Sequence, residues 1–112
     1  VGLLAGLGDP RLARALTAVH DRPGEAWTLE RMGRAAGMSR SSFAHRFKSV
    51  VGDTPADYLA TWRLTIAQAE LRNGASVKTI AHLLGYANAS ALSRLFTQRL
   101  GLSPRDWLAA RA

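Results

Sequence analysis

The feature that most constrains this chain is that its second half restates its first. Leu29, Met32, Gly33 and Gly37 reappear as Val77, Ile80, Ala81 and Gly85, each 48 positions later. Phe43, Phe47, Gly52, Pro55 and Tyr58 reappear as Leu92, Phe96, Gly101, Pro104 and Trp107, each 49 later. The one-residue slip falls between the glycine and the next apolar residue. One extra residue there only lengthens a turn, whereas inside a helix it would rotate the buried face by about 100°. Chance similarity between amphipathic helices does not carry glycine, proline and capping positions along with the apolar ones. The chain is two copies of one small module, and whatever it folds into is built twice.

Each copy reads as helices. No segment alternates apolar and polar residues over six positions, and β-branched residues are sparse, so strands are not expected. Apolar residues recur instead at three and four. Leu12, Leu16 and Val19 do so behind Asp9-Pro10, a capping residue followed by a first-turn proline. Leu29, Met32 and Ala36 follow, between Thr28 as cap and Gly37 as stop. Phe43, Phe47 and Val50 or Val51 come next, between Ser39 and Gly52. Thr54-Pro55-Ala56-Asp57 supplies another cap, a proline and an early acid. The helix it opens runs to about Arg72, before Asn73-Gly74, with Leu59, Trp62, Ile66 and Ala69 expected inward. At 1.5 Å per residue it is a rod of about 25 Å. Three more helices are expected at about 77–84, 89–100 and 104–110. The expectation is an all-α fold of about seven helices. Residues 1–8 form a linker tail, 9–53 a first subdomain, 54–73 a linker helix and 74–112 a second subdomain.

Thirteen arginines and two lysines stand against eight acids, a formal net charge of +7. That charge on a small chain points to a polyanionic partner, nucleic acid first and a membrane surface second. The absence of cysteine excludes disulfides, thiolate chemistry and cysteine-ligated metal. No apolar run approaches the roughly 18 residues of a spanning helix. The opening stretch from Val1 to Gly8 lacks an initiator Met and the basic flank of a signal peptide. It is expected to be the end of an interdomain linker, and the chain a piece of a longer protein.

The repeated unit is a short helix, a tight turn containing glycine and a second helix, the pattern of a helix-turn-helix. Gly37 and Gly85 suit the residue just past a helix end, where a positive φ is needed. In the second helix of the first copy, Phe43, Phe47 and Val50 form the buried stripe and Ser41, Ala44, His45 and Lys48 the opposite face. The second copy sets Ser90, Ser93, Arg94 and Thr97 opposite Leu92 and Phe96. No acid occurs between Arg31 and Val51, nor between Ala75 and Pro104. Phosphates would repel an acid on a docking face, so this segregation suits helices that enter a major groove about 12 Å wide.

The run from Gly85-Tyr86-Ala87-Asn88-Ala89-Ser90 through Phe96, followed by Gly101-Leu102-Ser103-Pro104-Arg105-Asp106-Trp107, resembles the signature of AraC/XylS-type transcription regulators. Gly37 to Tyr58 resembles the less strict half of the same pattern, and the likeness covers roughly Asp9 to Ala112. It implies the C-terminal DNA-binding domain of such a regulator, a double helix-turn-helix. The two recognition helices would lie on one side and read successive major-groove segments of promoter DNA about 34 Å apart. The family's base-facing sites fall on Arg40, Ser41, Ala44 and His45, then on Ala89, Ser90, Ser93 and Arg94. Arg94, then Arg40, is the best candidate for a bidentate guanine contact. Arg46, Lys48, Arg63 and Lys78 suit phosphates, as do Thr97 and Gln98, and Thr28 and Ser76 cap helix ends where a phosphate is favoured. The resemblance further implies no cofactor and no metal, RNA polymerase as a protein partner, a bacterial cytoplasmic setting, and an N-terminal effector or dimerisation domain outside this sequence.

The chain departs from the family where Asn88 replaces an acid, Leu92 an aromatic, and Thr97 and Gln98 bases; Arg99 and Arg105 are candidates to compensate. Other readings stay open on the residues alone. Catalysis is disfavoured because His20, His45 and His82 fall on three separate helices, and no nucleophile elbow or phosphate-cradling glycine loop is present. A membrane or RNA binder would cluster lysines or expose aromatics, whereas Phe47, Trp62, Phe96 and Trp107 sit at core positions. A helix-turn-helix kept only for protein contacts would tolerate acids between Ser41 and Lys48.

Overall fold

The computed structural model describes residues 2–111. Val1, at the head of the expected linker, and Ala112, at the end of the expected second subdomain, lie outside the described residues. The fold is all-helical, as the periodicity predicts, with α1 Leu3–Leu7, α2 Pro10–Asp21, α3 Leu29–Ala35, α4 Arg40–Val51, α5 Pro55–Arg72, α6 Val77–Leu83, α7 Ala89–Leu100 and α8 Pro104–Ala109. The eighth helix is α1, inside the segment expected to be linker. Its Gly6 is buried, and a Cβ there would come within 2.8 Å of Val51 Cγ2 and 2.9 Å of Leu16 Cδ1. The Gly2 amide donates to the Val51 carbonyl at 2.8 Å. A five-residue helix becomes stable here because a glycine lets it lie directly on α2 and α4.

The caps form where polar side chains precede the apolar runs. Asp9, Thr28, Ser39, Ser76, Asn88 and Ser103 each accept a hydrogen bond from an amide of the turn they open. Thr54 accepts from the Asp57 amide at 3.2 Å. Gly37 and Gly85, at φ +70° and +81°, close the first helix of each module as left-handed residues. A Cβ on Gly33 would stand 3.0 Å from the Met38 carbonyl oxygen, a tight contact, and the second copy carries the small residue Ala81 at this place.

The chain divides into two compact units, Val1–Trp62 and Arg63–Ala112. In the first, Leu12, Leu16, Val19, Met32, Phe43, Phe47, Val51 and Leu59 form the buried core. Val51 rather than Val50 completes the α4 stripe. In the second, Leu64, Ala67, Leu71, Ile80, Leu84, Leu92, Phe96 and Trp107 do so. The same aromatic joint recurs in each: Phe47 meets Tyr58 edge-on at 5.7 Å, and Phe96 meets Trp107 edge-on at 5.7 Å.

Helix α5 differs from the single inward stripe expected of it. Its first part buries Leu59 and half-buries Trp62, and its second part buries Leu64, Ala67 and Leu71, leaving Ile66 and Ala69 half-buried. The helix serves two cores and carries a separate stripe for each. That second stripe also extends the repeat. Leu12, Ala15 and Val19 of α2 reappear 52 positions later as Leu64, Ala67 and Leu71, all buried. The second half of α5 is thus the counterpart of α2, and the shift from 52 to 48 is absorbed by a shorter loop before α6.

Candidate nucleic-acid interface

The core stripes of α4 and α7 decide which side chains reach solvent. With Phe43, Phe47 and Val51 buried, α4 presents Arg40, Ser41, His45 and Lys48 as exposed side chains, with Ala44 half-buried among them. With Leu92 and Phe96 buried, α7 exposes Ser90, Arg94, Thr97 and Gln98 and half-buries Ala89 and Ser93. Ser93, Arg94, Thr97 and Gln98 line a shallow, open depression on α7. Each expected reading face is thus assembled on one side of one helix. Among the described residues, Arg40, Lys48 and Arg94 have no acidic partner, so their charge is available to a ligand.

Four of the side chains assigned to phosphate already make hydrogen bonds within the protein. Arg46 is exposed along part of its length, yet its Nε donates to Asp9 at 2.5 Å. Asp9 is buried and already accepts from the amides of Arg11 and Leu12 as the cap of α2. Burial acts to raise the Asp9 carboxyl, but the Leu12 amide, Arg46 and the Arg11 amide together hold it below the usual carboxylate range. Arg46 therefore ties α4 to α2, and only its terminal N–H groups are left for a phosphate. Thr97 donates its hydroxyl to the Ser93 carbonyl at 2.9 Å, four residues back along the helix. Gln98, the other phosphate position on α7, is exposed. Ser76 accepts from the Thr79 amide at 3.1 Å and donates to the Thr79 hydroxyl at 2.9 Å, which commits its single donor. Thr28 accepts from the Arg31 amide at 3.1 Å.

Arg63 and Lys78 flank the second unit's helix-turn-helix. The Arg63 guanidinium lies 5.3 Å from the Tyr86 ring centroid, a cation–π arrangement that braces its position. Lys78 is exposed and shares with His82, Tyr86, Asn88 and Ser90 an open concavity between α6 and the start of α7. His82 and Tyr86 were absent from the sequence-based site, although His82 stands one helical turn after Lys78 and so on the same face. Among the described residues no three His, Asp or Glu side chains are grouped to hold a metal, and no helix is long and apolar enough to cross a membrane.

Residues 32–110 match the family model described as a helix-turn-helix domain. An AraC-like transcription regulator of Streptomyces antibioticus is 46% identical over 107 residues, covering 95% of this chain and 35% of its own length. The RCS-specific HTH-type transcriptional activator RclR of Escherichia coli K12 is 38% identical over 106 residues, covering 94% of this chain and 37% of its own. The chain thus spans about a third of the length of these relatives. Among solved structures, the DNA-binding domain of AdpA, in complex with a target DNA, aligns with a TM-score of 0.83 at 33% identity, over 91% of this chain and 92% of that one. The C-terminal domain of AraT from Geobacillus stearothermophilus, at 21% identity and a TM-score of 0.86, shares the fold.

Proposed function

The chain belongs to the AraC-type helix-turn-helix family of DNA-binding transcription regulators, and from that membership we propose that α4 and α7 read two successive major-groove segments of promoter double-stranded DNA. The observation that carries this reading is the pair of acid-free helix faces on which Arg40, Lys48 and Arg94 have no acidic partner among the described residues. Arg40, Ser41, Ala44 and His45 on α4, and Ala89, Ser90, Ser93 and Arg94 on α7, are the base-facing set. Arg94 is the strongest, since a free guanidinium on a helix face makes the bidentate contact to guanine. Lys48, Arg63, Lys78 and Gln98 position the backbone, whereas Arg46 acts through its pairing with Asp9. Thr28, Ser76 and Thr97 contribute through the helix turns they brace.

The modules at 9–53 and 74–112 act as paired readers joined by the helix at 54–73, and the role is binding rather than catalysis. AdpA, whose domain was solved on its target DNA, is 33% identical to this chain and lends the reading support. Effector sensing or dimerisation falls to the remainder of a longer bacterial protein that works in the cytoplasm, with RNA polymerase as its protein partner.

Titration with duplex DNA at several salt concentrations tests the reading. About five phosphate contacts give a slope of log K against log salt near −4 to −5. A flat salt response overturns it. On a selected site, cleavage footprinting is expected to show two protected segments about one helical turn apart, and a single protected segment would remove the two-helix part of the reading.

A further inference from the structure

The flank of the second unit holds a charge arrangement that its counterpart in the first unit cancels. In repeat register, the exposed Glu30 and Arg34 of α3 correspond to Lys78 and His82 of α6, 48 positions on. Glu30 Oε1 and Arg34 Nη2 pair at 3.3 Å, so the first unit neutralises this stretch of its surface. The second unit replaces the acid by lysine and the guanidinium by imidazole. No acid lies nearby in sequence, between Ala75 and Pro104.

The surroundings of His82 suit an anion. Its concavity is lined by Lys78 on its own helix, by Tyr86 in the turn, and by Asn88, Ala89 and Ser90 at the start of α7. The Asn88 side-chain oxygen accepts from the Ala91 amide at 2.9 Å, which leaves its NH2 group as a donor. From α5 comes Arg63, over the Tyr86 ring. Lys78 is the charged side chain that lines the concavity with His82, and Tyr86, Asn88 and Ser90 add hydrogen-bond donors.

We propose that His82 is a proton-dependent ligand for a DNA phosphate. Lys78 engages the backbone at any pH, and the His82 imidazolium adds a contact only once protonated, so the second unit grips DNA more tightly on acidification. The inference rests on the proposed duplex binding. Each phosphate contact steepens the salt slope by about 0.9.

The test is duplex titration of the whole chain across a salt series at about pH 8 and about pH 5.5. Circular dichroism at both pH values verifies that the helices persist. The wild-type slope is expected to steepen by about 0.9 at the lower pH. In a His45→Ala background, which takes away the imidazole of the proposed α4 face, His82→Ala removes that difference and His82→Lys shows the steeper slope at both pH values. Equal wild-type slopes at the two pH values overturn the proposal, as does a difference that survives His82→Ala in that background. Failure of the wild type to bind duplex at about pH 8 removes the broader DNA-binding reading, and this inference with it.

Discussion

The last turn of the first unit's long helix carries His20, and that of the second carries Arg72, 52 positions on. Each lies against the aromatic that closes its core, Tyr58 in one and Trp107 in the other. His20 Nε2 and the Tyr58 hydroxyl share a hydrogen bond of 2.5 Å, and the His20 ring lies 4.6 Å from Trp62. The Arg72 guanidinium lies 5.7 Å from the Trp107 ring. The same contrast runs across the surface. Arg40, His45 and Lys48 on α4 correspond to Ala89, Arg94 and Thr97 on α7. Asp9 and Arg46, an ion pair in the first unit, correspond to Thr61 and Leu95 in the second. The module holds its inner geometry, the edge-on aromatic pair and the glycine turn, and varies the polar chemistry around it. Helix α4 carries Arg40, Arg46 and Lys48, while α7 carries Arg94 and Arg99.

The comparison is most severely tested by emptying each core at its equivalent position. Phe47 and Phe96 are both buried and both meet an aromatic edge. Truncation of either to Ala is expected to cost about 3–5 kcal/mol through lost burial and a cavity. That is a large fraction of what a domain this small possesses. Amide hydrogen exchange resolved by residue should show Phe47→Ala losing protection across residues 2–62 and Phe96→Ala across 63–111. Equal loss in both segments from either variant would mean that the two cores behave as one.

A smaller effect separates the two proposed reading faces. Arg94→Ala is expected to cost about 1–3 kcal/mol on a preferred site and to relax one base position. His45→Ala, at the equivalent place on α4, is expected to cost less, because an imidazole makes one contact where a guanidinium makes two. Binding-site selection with each variant measures both. Equal losses for Arg94→Ala on random and preferred duplexes would move Arg94 to the backbone.

Next comes the ion pair that the second unit lacks. Asp9→Ala removes a helix cap and is expected to lower stability by about 1–2 kcal/mol. Arg46→Ala leaves the buried carboxylate without its cation, so it should depress the urea midpoint while leaving the DNA salt slope nearly unchanged. A slope reduced by about 0.9 with stability intact would return Arg46 to the phosphate set. Because the Asp9 carboxyl is held below its usual range, its contribution is complete above the ordinary carboxylate value. It is lost as pH falls through the depressed one.

Much of this was legible in the sequence, because repetition supplied each inference twice. Caps at Asp9, Thr28, Ser39, Ser76, Asn88 and Ser103 are local signals, readable from a polar residue before an apolar run. The exposed positions of Arg40, His45 and Arg94 follow from the stripes behind them. Three things depended on distant contacts and were not legible. Helix α1 is too short to show a period and exists through Gly6 against Leu16 and Val51. The double stripe of α5 requires knowing that one helix serves two cores. The pairing of Arg46 with Asp9 spans 37 positions, and nothing local distinguishes that arginine from Arg40. His82 was legible in principle, through its spacing from Lys78, but a lone histidine among basic residues carries no sign of what it faces.

The smallest effect returns to the residues that close the two helices. Burial pushes the His20 imidazole below its ordinary value of 6.5, and the nearby Asp21 charge offsets part of that shift. The folded first unit therefore binds this proton less readily than the unfolded chain does. Its stability is complete above that ordinary value and declines as pH falls through it toward the depressed one. Arg72, a permanent cation at the equivalent place, gives the second unit no such term. Acidification from about pH 7.5 to about pH 5.5 should then lower protection factors in residues 2–62 while sparing 63–111. His20→Gln, which keeps a hydrogen-bonding group beside Tyr58, should abolish the difference. If acid weakened both units alike, or weakened the first as strongly in His20→Gln, the contrast between these two helix ends would have no energetic meaning.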